Sequence, residues 1–173
     1  DMRELVSSQL VSAFKGLWGE SWGEWLEYLL KNTLMALMDD PRAPVSLLSV
    51  QRMLSDPVYR DKILKHVTDP VVISFWRNFF ERLNNKEQNE RISSTLNKAG
   101  KLTLSPVLRN IIGQVRSGFD MTEAMNNGQI VIVNLAKGKI GEDNANFLGS
   151  MLVADIVGRA MQRAKIAEDA RRD

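Results

Sequence analysis

The chain has no cysteine and a single histidine, His66, in 173 residues. Without thiols there is neither a disulfide framework nor a thiolate metal site, which fits a reducing compartment. His66 has no companion histidine or cysteine with which to hold a metal. Its place in the last turn of a helical pattern suits a cation against the negative end of the helix dipole. Long apolar runs are absent: none approaches the roughly 20 residues that cross a bilayer. The first residues form an acidic amphipathic stretch without the basic start and apolar core of a secretory signal. Charge of one sign is not in excess either. The 23 Lys and Arg and 21 Asp and Glu are interspersed, and a net charge of +2 leaves the partner open.

Catalytic signatures are missing in the same way. No GxxxxGK[ST] turn occurs: Gly138-Lys139 is followed by Ile140 and Gly100-Lys101 by Leu102, so neither supplies a hydroxyl for magnesium. No Ser-His-Asp arrangement, paired-carboxylate site or metal cluster can be assembled. The chain taken alone therefore reads as catalytically incomplete, with no catalytic residue, no metal ligand and no cofactor of its own.

What is present is the composition of an ordinary globular protein, 44% apolar and 25% charged, long enough for one good core or one and a half small ones. Leu5, Val6, Leu10, Val11 and Phe14 recur at helical spacing, with Gly16 as the expected stop. After the turn Trp18-Gly19-Glu20-Ser21 comes the clearest helical pattern, in which Trp22, Trp25, Leu26, Leu29, Leu30, Leu34, Leu37 and Met38 trace one broad face. The aromatic cluster Trp18, Trp22, Trp25 and Tyr28 reads as core, with a stacking platform for bases as the alternative. Asp39-Asp40-Pro41 ends that helix, and Ser46 is the expected cap of the next.

Asp56-Pro57 and Asp69-Pro70 are two copies of one start signal. Aspartate accepts from the free amides of the first turn, and proline there gives up an N–H that would be unpaired anyway. The second of these helices carries Val72, Phe75, Trp76, Phe79, Phe80 and Leu83 as a stripe. Residues 86 to 99 are polar around Ile92 and Leu96. Lys86, Arg91, Lys98 and Lys101 form a solvated face or a contact with a partner or with DNA phosphates. Ser105-Pro106 opens a last short helix, stopped by Gly113. Six or so helices with short loops make a compact all-α unit.

The character changes after Gly113. Asp120 and Glu123 open a short helix, and Asn127-Gly128 turns into Ile130 to Val133, an unbroken β-branched run. Such a run suits a strand covered on both faces. The chain has no second run as convincing, so the strand needs neighbours that this sequence does not supply, and a piece of a larger α/β protein is expected. Glu142, Asp143 and Asn144 then open a long helix, apolar through Phe147, Leu148, Met151, Leu152, Val153, Ile156, Val157 and Met161. With no natural cover for that apolar side, self-association is expected. Lys137 and Lys139 lie past the strand's carboxyl end, where open sheets place ligands, and are the candidate nucleotide or DNA edge. Glu142 and Asp143 stand where a phosphate would want bare amides.

FKGLWGESWGEWLEYLLKNTLMALMD, DPVVISFW, LNKAGKLTLSPVLRNIIGQ and, above all, GQIVIVNLAKGKIGEDNANFLGSML resemble the middle of the coupling-protein ATPases of type IV secretion and conjugation, relatives of the HerA and FtsK DNA translocases. The WG-x-S-WG and NL-x-KG-K-IGEDN strings are the most specific parts. Residues 89 to 95 depart from a helix that is often more apolar in that family. The resemblance implies a mainly α chain: an all-α domain over residues 21–112, with residues 1–20 and 113–173 belonging to a RecA-like motor domain. The motor remnant would be one strand at about 129–135 and one helix at about 142–166. It further implies a parent enzyme that is a hexameric, ATP- and Mg²⁺-dependent DNA translocase, cytoplasmic and peripheral to the inner membrane. Its nucleotide motifs would flank this segment, and its all-α domain would recognise a relaxase or effector protein together with DNA. The readings that compete with it are a free-standing helical interaction or regulatory module, and a sequence-independent DNA-binding module.

Overall fold

The computed structural model describes residues 2–163 and is mainly helical, with ten α-helices and no strand among the described residues. The chain divides into two compact units, Glu20–Val115 and a second one formed by Glu4–Gly19 with the residues from Arg116 on.

The first unit begins with α2 (Glu24–Met38), following α1 (Met2–Trp18) of the other unit. Leu26, Leu29, Leu30, Leu34 and Leu37 of α2 are buried, as their spacing requires. Helices α3 (Leu48–Ser55), α4 (Pro57–Leu64) and α5 (Pro70–Ser74) follow, each set by local chemistry. The Asp56 carboxylate accepts from the Tyr59 amide at 3.0 Å, and Asp69 from Val71 at 2.8 Å, each ahead of a first-turn proline. Ser46 is not a side-chain cap. Its own amide donates to Ser49 Oγ at 3.0 Å, so the serine inside the turn, not the one before it, takes the hydrogen bond.

After α5 the backbone widens into a π-helical turn, Phe75–Phe79, and tightens into a 3₁₀ turn, Phe80–Arg82. The π turn rotates the aromatic stripe. Phe75, Trp76 and Phe80 are buried, but Phe79 is left 44% exposed. Asn84 and Glu87 close a capping box that starts α6 (Asn85–Leu104), and Ser105 Oγ accepts from Leu108 N–H to start α7 (Pro106–Ile112). Helix α6 packs on α2, α3 and α7. Gly113 ends α7 where a Cβ would lie 2.6 Å from the Arg109 carbonyl oxygen and 2.9 Å from Leu48, so only glycine fits between them.

Trp76 and Phe80 fill the centre of this unit, both without solvent exposure. Arg60, 4% exposed, lies over both rings, and its Nη1 donates to the Met53 and Leu54 carbonyls at the end of α3. Burial pushes the Arg60 pKa down, opposed by Glu81, whose carboxylate is 3.6 Å from Arg60 Nε.

In the second unit α1 runs straight through Gly16, which was expected to stop it; Val11, Ala13 and Phe14 are buried ahead of that position. Phe14 stacks on Trp18 at 5.1 Å and meets Phe147 at 5.3 Å. Helix α8 (Met121–Asn126) is capped by Asp120, which accepts from Thr122 and Glu123, and ends in a Schellman turn: Gln129 N–H to Ala124 O and Gly128 N–H to Met125 O. Gly128 takes φ 63°, the left-handed conformation this turn needs. Helices α9 (Lys137–Ile140) and α10 (Glu142–Arg163) follow. The expected helix to about 166 runs past the described residues at its end.

The expected strand at about 129–135 is not formed. Residues 130–133 make no backbone hydrogen bond among the described residues, because a ladder needs a second strand and none is present. Ile130 and Ile132 are 92% and 91% exposed, Val131 and Val133 40% and 47%.

Phe80→Ala removes a fully enclosed ring and is expected to cost about 3–5 kcal/mol in urea unfolding. Asp120 is held below its usual 3.8 by the Glu123 amide first, then Thr122 and Arg159. A depressed carboxylate stabilises fully above its unfolded value and ceases to do so as pH falls through the folded value. Thr122 and Glu123 amide protection is therefore expected to persist above about pH 5 and fall away below pH 3.8, with Asp120→Asn removing that dependence.

Candidate functional site

The basic candidates sit on α6. At ~100° per residue, Lys86, Arg91, Lys98 and Lys101 fall in a sector of about 140° and span about 22 Å along the axis. Glu87 and Glu90 fall in the same sector, so the face is mixed rather than a basic stripe. Lys86 and Lys101 are exposed, while Lys98 is half-buried and donates to Ser94 Oγ at 3.2 Å.

Arg91 is different. Its guanidinium lies 4.7 Å over the Trp25 ring, and its backbone carbonyl accepts from Trp25 Nε1–H at 3.0 Å. Trp25 thus fixes both ends of this residue, and the cation is placed by an aromatic face on α2. Around Trp25 stand Tyr28 at 5.9 Å, Phe79 at 5.7 Å and Phe75 at 6.2 Å. Tyr28 is 50% exposed, so with Phe79 it gives the unit an aromatic surface beside Arg91.

The cluster expected from sequence was Trp18, Trp22, Trp25 and Tyr28. Trp18 stacks on Phe14, Trp22 Nε1–H donates to Glu27 at 2.7 Å, and Trp25 meets Tyr28. Phe75 and Phe79 join Trp25 and Tyr28 from some fifty residues away. Their i, i+4 spacing was visible in sequence, but the π turn that brings Phe79 to the surface was not.

Lys137 and Lys139 are exposed on α9 and its loop. The Lys137 ammonium is 2.6 Å from Glu142, and that contact holds the Glu142 pKa below the usual carboxylate value. A phosphate would have to displace this carboxylate from Lys137, and no glycine-rich turn offers amides in exchange. The Lys137 loop therefore offers no ready phosphate cradle. An open groove of ≈ 960 Å³ runs along α1 and α10 in the second unit, lined among others by Leu5, Ser12, Gly149, Val153 and Val157.

His66 is exposed, two residues beyond the end of α4, its amide bonded to Ile63 O at 2.9 Å. No helix among the described residues is long and apolar enough to cross a membrane.

Compared with family models, with curated proteins and with solved structures, the chain matches none.

Arg91→Ala removes the cation from the Trp25 face. It is expected to lower stability by about 0.5–1 kcal/mol in urea melts, with Arg91→Lys recovering part of it.

Proposed function

We propose that this chain is the central part of a coupling-protein ATPase of type IV secretion or conjugation. In this reading the Glu20–Val115 unit recognises the nucleoprotein substrate of an ATP-driven DNA translocase. The observation that carries the reading is the run of residues 130–133: β-branched throughout, with no ladder partner among the described residues, its two isoleucines exposed and its two valines half-exposed. A run of this kind is what remains when one strand of a RecA-like sheet is taken without its neighbours. The sequence strings around it, NLAKGKIGEDN in particular, support the same origin.

The motor's remaining strands would pair with residues 129–135, and α10 would lie on the sheet through its exposed Val153, Ile156 and Val157. ATP and Mg²⁺ would be held by segments on either side of this one, and a hexamer at the cytoplasmic face of the inner membrane would be the working form. The substrate-facing surface would be α6 with the aromatic group beside it: Lys86, Arg91, Lys98 and Lys101 for the DNA, and Tyr28 and Phe79 for a protein such as relaxase.

Binding of the purified chain to relaxase, to DNA and to the relaxase–DNA complex, measured by anisotropy across a salt series alongside an ATPase assay, tests the proposal. Tightest binding is expected for the complex, with no ATP turnover. Each of Lys86→Ala and Lys101→Ala should lower the salt slope by about one. ATP hydrolysis by this chain alone, or equal indifference to all three ligands, would overturn it.

A further inference from the structure

We infer that Arg91, Tyr28 and Phe79 form one docking site for an acidic, apolar peptide segment of a partner protein. A carboxylate of that segment meets the Arg91 guanidinium, and an adjacent apolar side chain covers the two exposed rings. The inference deepens the proposed reading. It rests on that reading only in taking this surface to meet a protein, and it moves Arg91 from the DNA contacts to the protein contacts.

Arg91 is the preorganised part of the site. Its guanidinium is placed 4.7 Å over the Trp25 ring, and its backbone carbonyl accepts from the same indole at 3.0 Å. A long side chain has thus given up much of its rotamer freedom before any ligand arrives. Its ordinary helical partner is engaged elsewhere. Glu87 stands four residues earlier, where a carboxylate pairs well with an arginine, but it accepts from the Asn84 amide at 2.9 Å in the capping box. No carboxylate pairs with Arg91 among the described residues, and the residue is exposed. Its fork of N–H donors is therefore open to a planar, bidentate acceptor.

The occupant follows from charge. An extended phosphodiester repeats its negative charge along the whole of α6, and Glu87 and Glu90, both exposed in the same sector, repel it. One carboxylate at Arg91 avoids both. A basic segment is repelled by Arg91 itself, and a wholly apolar one covers the guanidinium without pairing it. The rings add the apolar requirement. Tyr28 is 50% and Phe79 44% exposed, with centres 5.9 and 5.7 Å from that of Trp25. Fork and rings share one indole and lie within about 11 Å of each other, the reach of about three extended residues. Arginine among aromatic rings is also the composition of an interface hot spot.

Blocked octapeptides centred on Asp-Phe-Asp-Leu, Asn-Phe-Asn-Leu and Asp-Gly-Asp-Gly, labelled for anisotropy, are the probes for the whole chain. The first should bind about tenfold tighter than either of the others. Arg91→Lys keeps the charge and loses the fork, so it should weaken the first peptide about fivefold with circular dichroism unchanged. Phe79→Ala should weaken it to a similar extent, and Lys62→Ala, exposed on α4, less than twofold. Equal binding of the Asp and Asn peptides, or none of either into the millimolar range, overturns the inference. So does an Arg91→Lys variant that loses affinity for an oligothymidylate and keeps it for the peptide, an outcome that leaves the translocase reading standing. The expected peptide pattern in a chain indifferent to relaxase and to DNA supports the inference and overturns that reading instead.

Discussion

Burial of Trp76 and Phe80 is the constraint on which the Glu20–Val115 unit depends. Helices of eight, eight and five residues, α3, α4 and α5, are too short to persist in water by themselves. Their caps decide where each begins; only the shared aromatic centre keeps them folded. Arg60 shows how tightly that centre is specified. A guanidinium 4% exposed is costly, as its lowered pKa records, and the cost is offset by two helix-end carbonyls, two ring faces and Glu81. Any rearrangement that moved α3 away from α4 would strand that charge. The arginine therefore selects one packing of these short helices more than it adds to their stability.

Local chemistry is what the sequence discloses best. Asp56-Pro57, Asp69-Pro70, Ser105-Pro106 and Asp120 each announce a helix start because donor and acceptor lie within four residues of one another, with a first-turn proline in all but the last, and each is a start in the structure. Gly16 and Ser46 show the limit. A glycine in a helix costs only about 1 kcal/mol, and continuing through it sets Trp18 on the Phe14 ring, so α1 does not stop there. At Ser46 two serines compete for one turn, and geometry rather than residue type chooses Ser49. Phe79 belongs to the same class: a helical stripe assumes 3.6 residues per turn, and a five-residue π turn moves one aromatic from core to surface without changing the sequence pattern.

The candidate site was legible only in its parts. Arg91 was visible as a cation on a polar helix, but the ring that orients it comes from a residue 66 positions earlier. No spacing rule reaches that far. Lys137 looked available for a phosphate because a loop lysine past a strand usually is; Glu142, five residues on at the start of α10, pairs with it. In both cases the residue type was visible in the sequence and its partner was set by the fold.

The strand expectation failed for a reason that bears on the whole second unit. β-Branched residues resist helix because of crowding at χ1, and that resistance is intrinsic; joining a sheet is not, since it needs a ladder partner. Ile130 to Val133 is therefore neither helix nor strand. Both its ends are fixed: by the Schellman turn at Gly128, and by Asn134, whose side-chain oxygen accepts from the Ala136 amide at 3.1 Å. Beyond it Leu135 packs against α10, 3.3 Å from where a Cβ of Gly149 would be. Much of the entropy that pairing would remove is thus already lost in the folded chain, and a strand arriving at this edge gains hydrogen bonds and apolar cover at a reduced ordering cost. Any neighbouring strand that pairs here would benefit from that preorganisation.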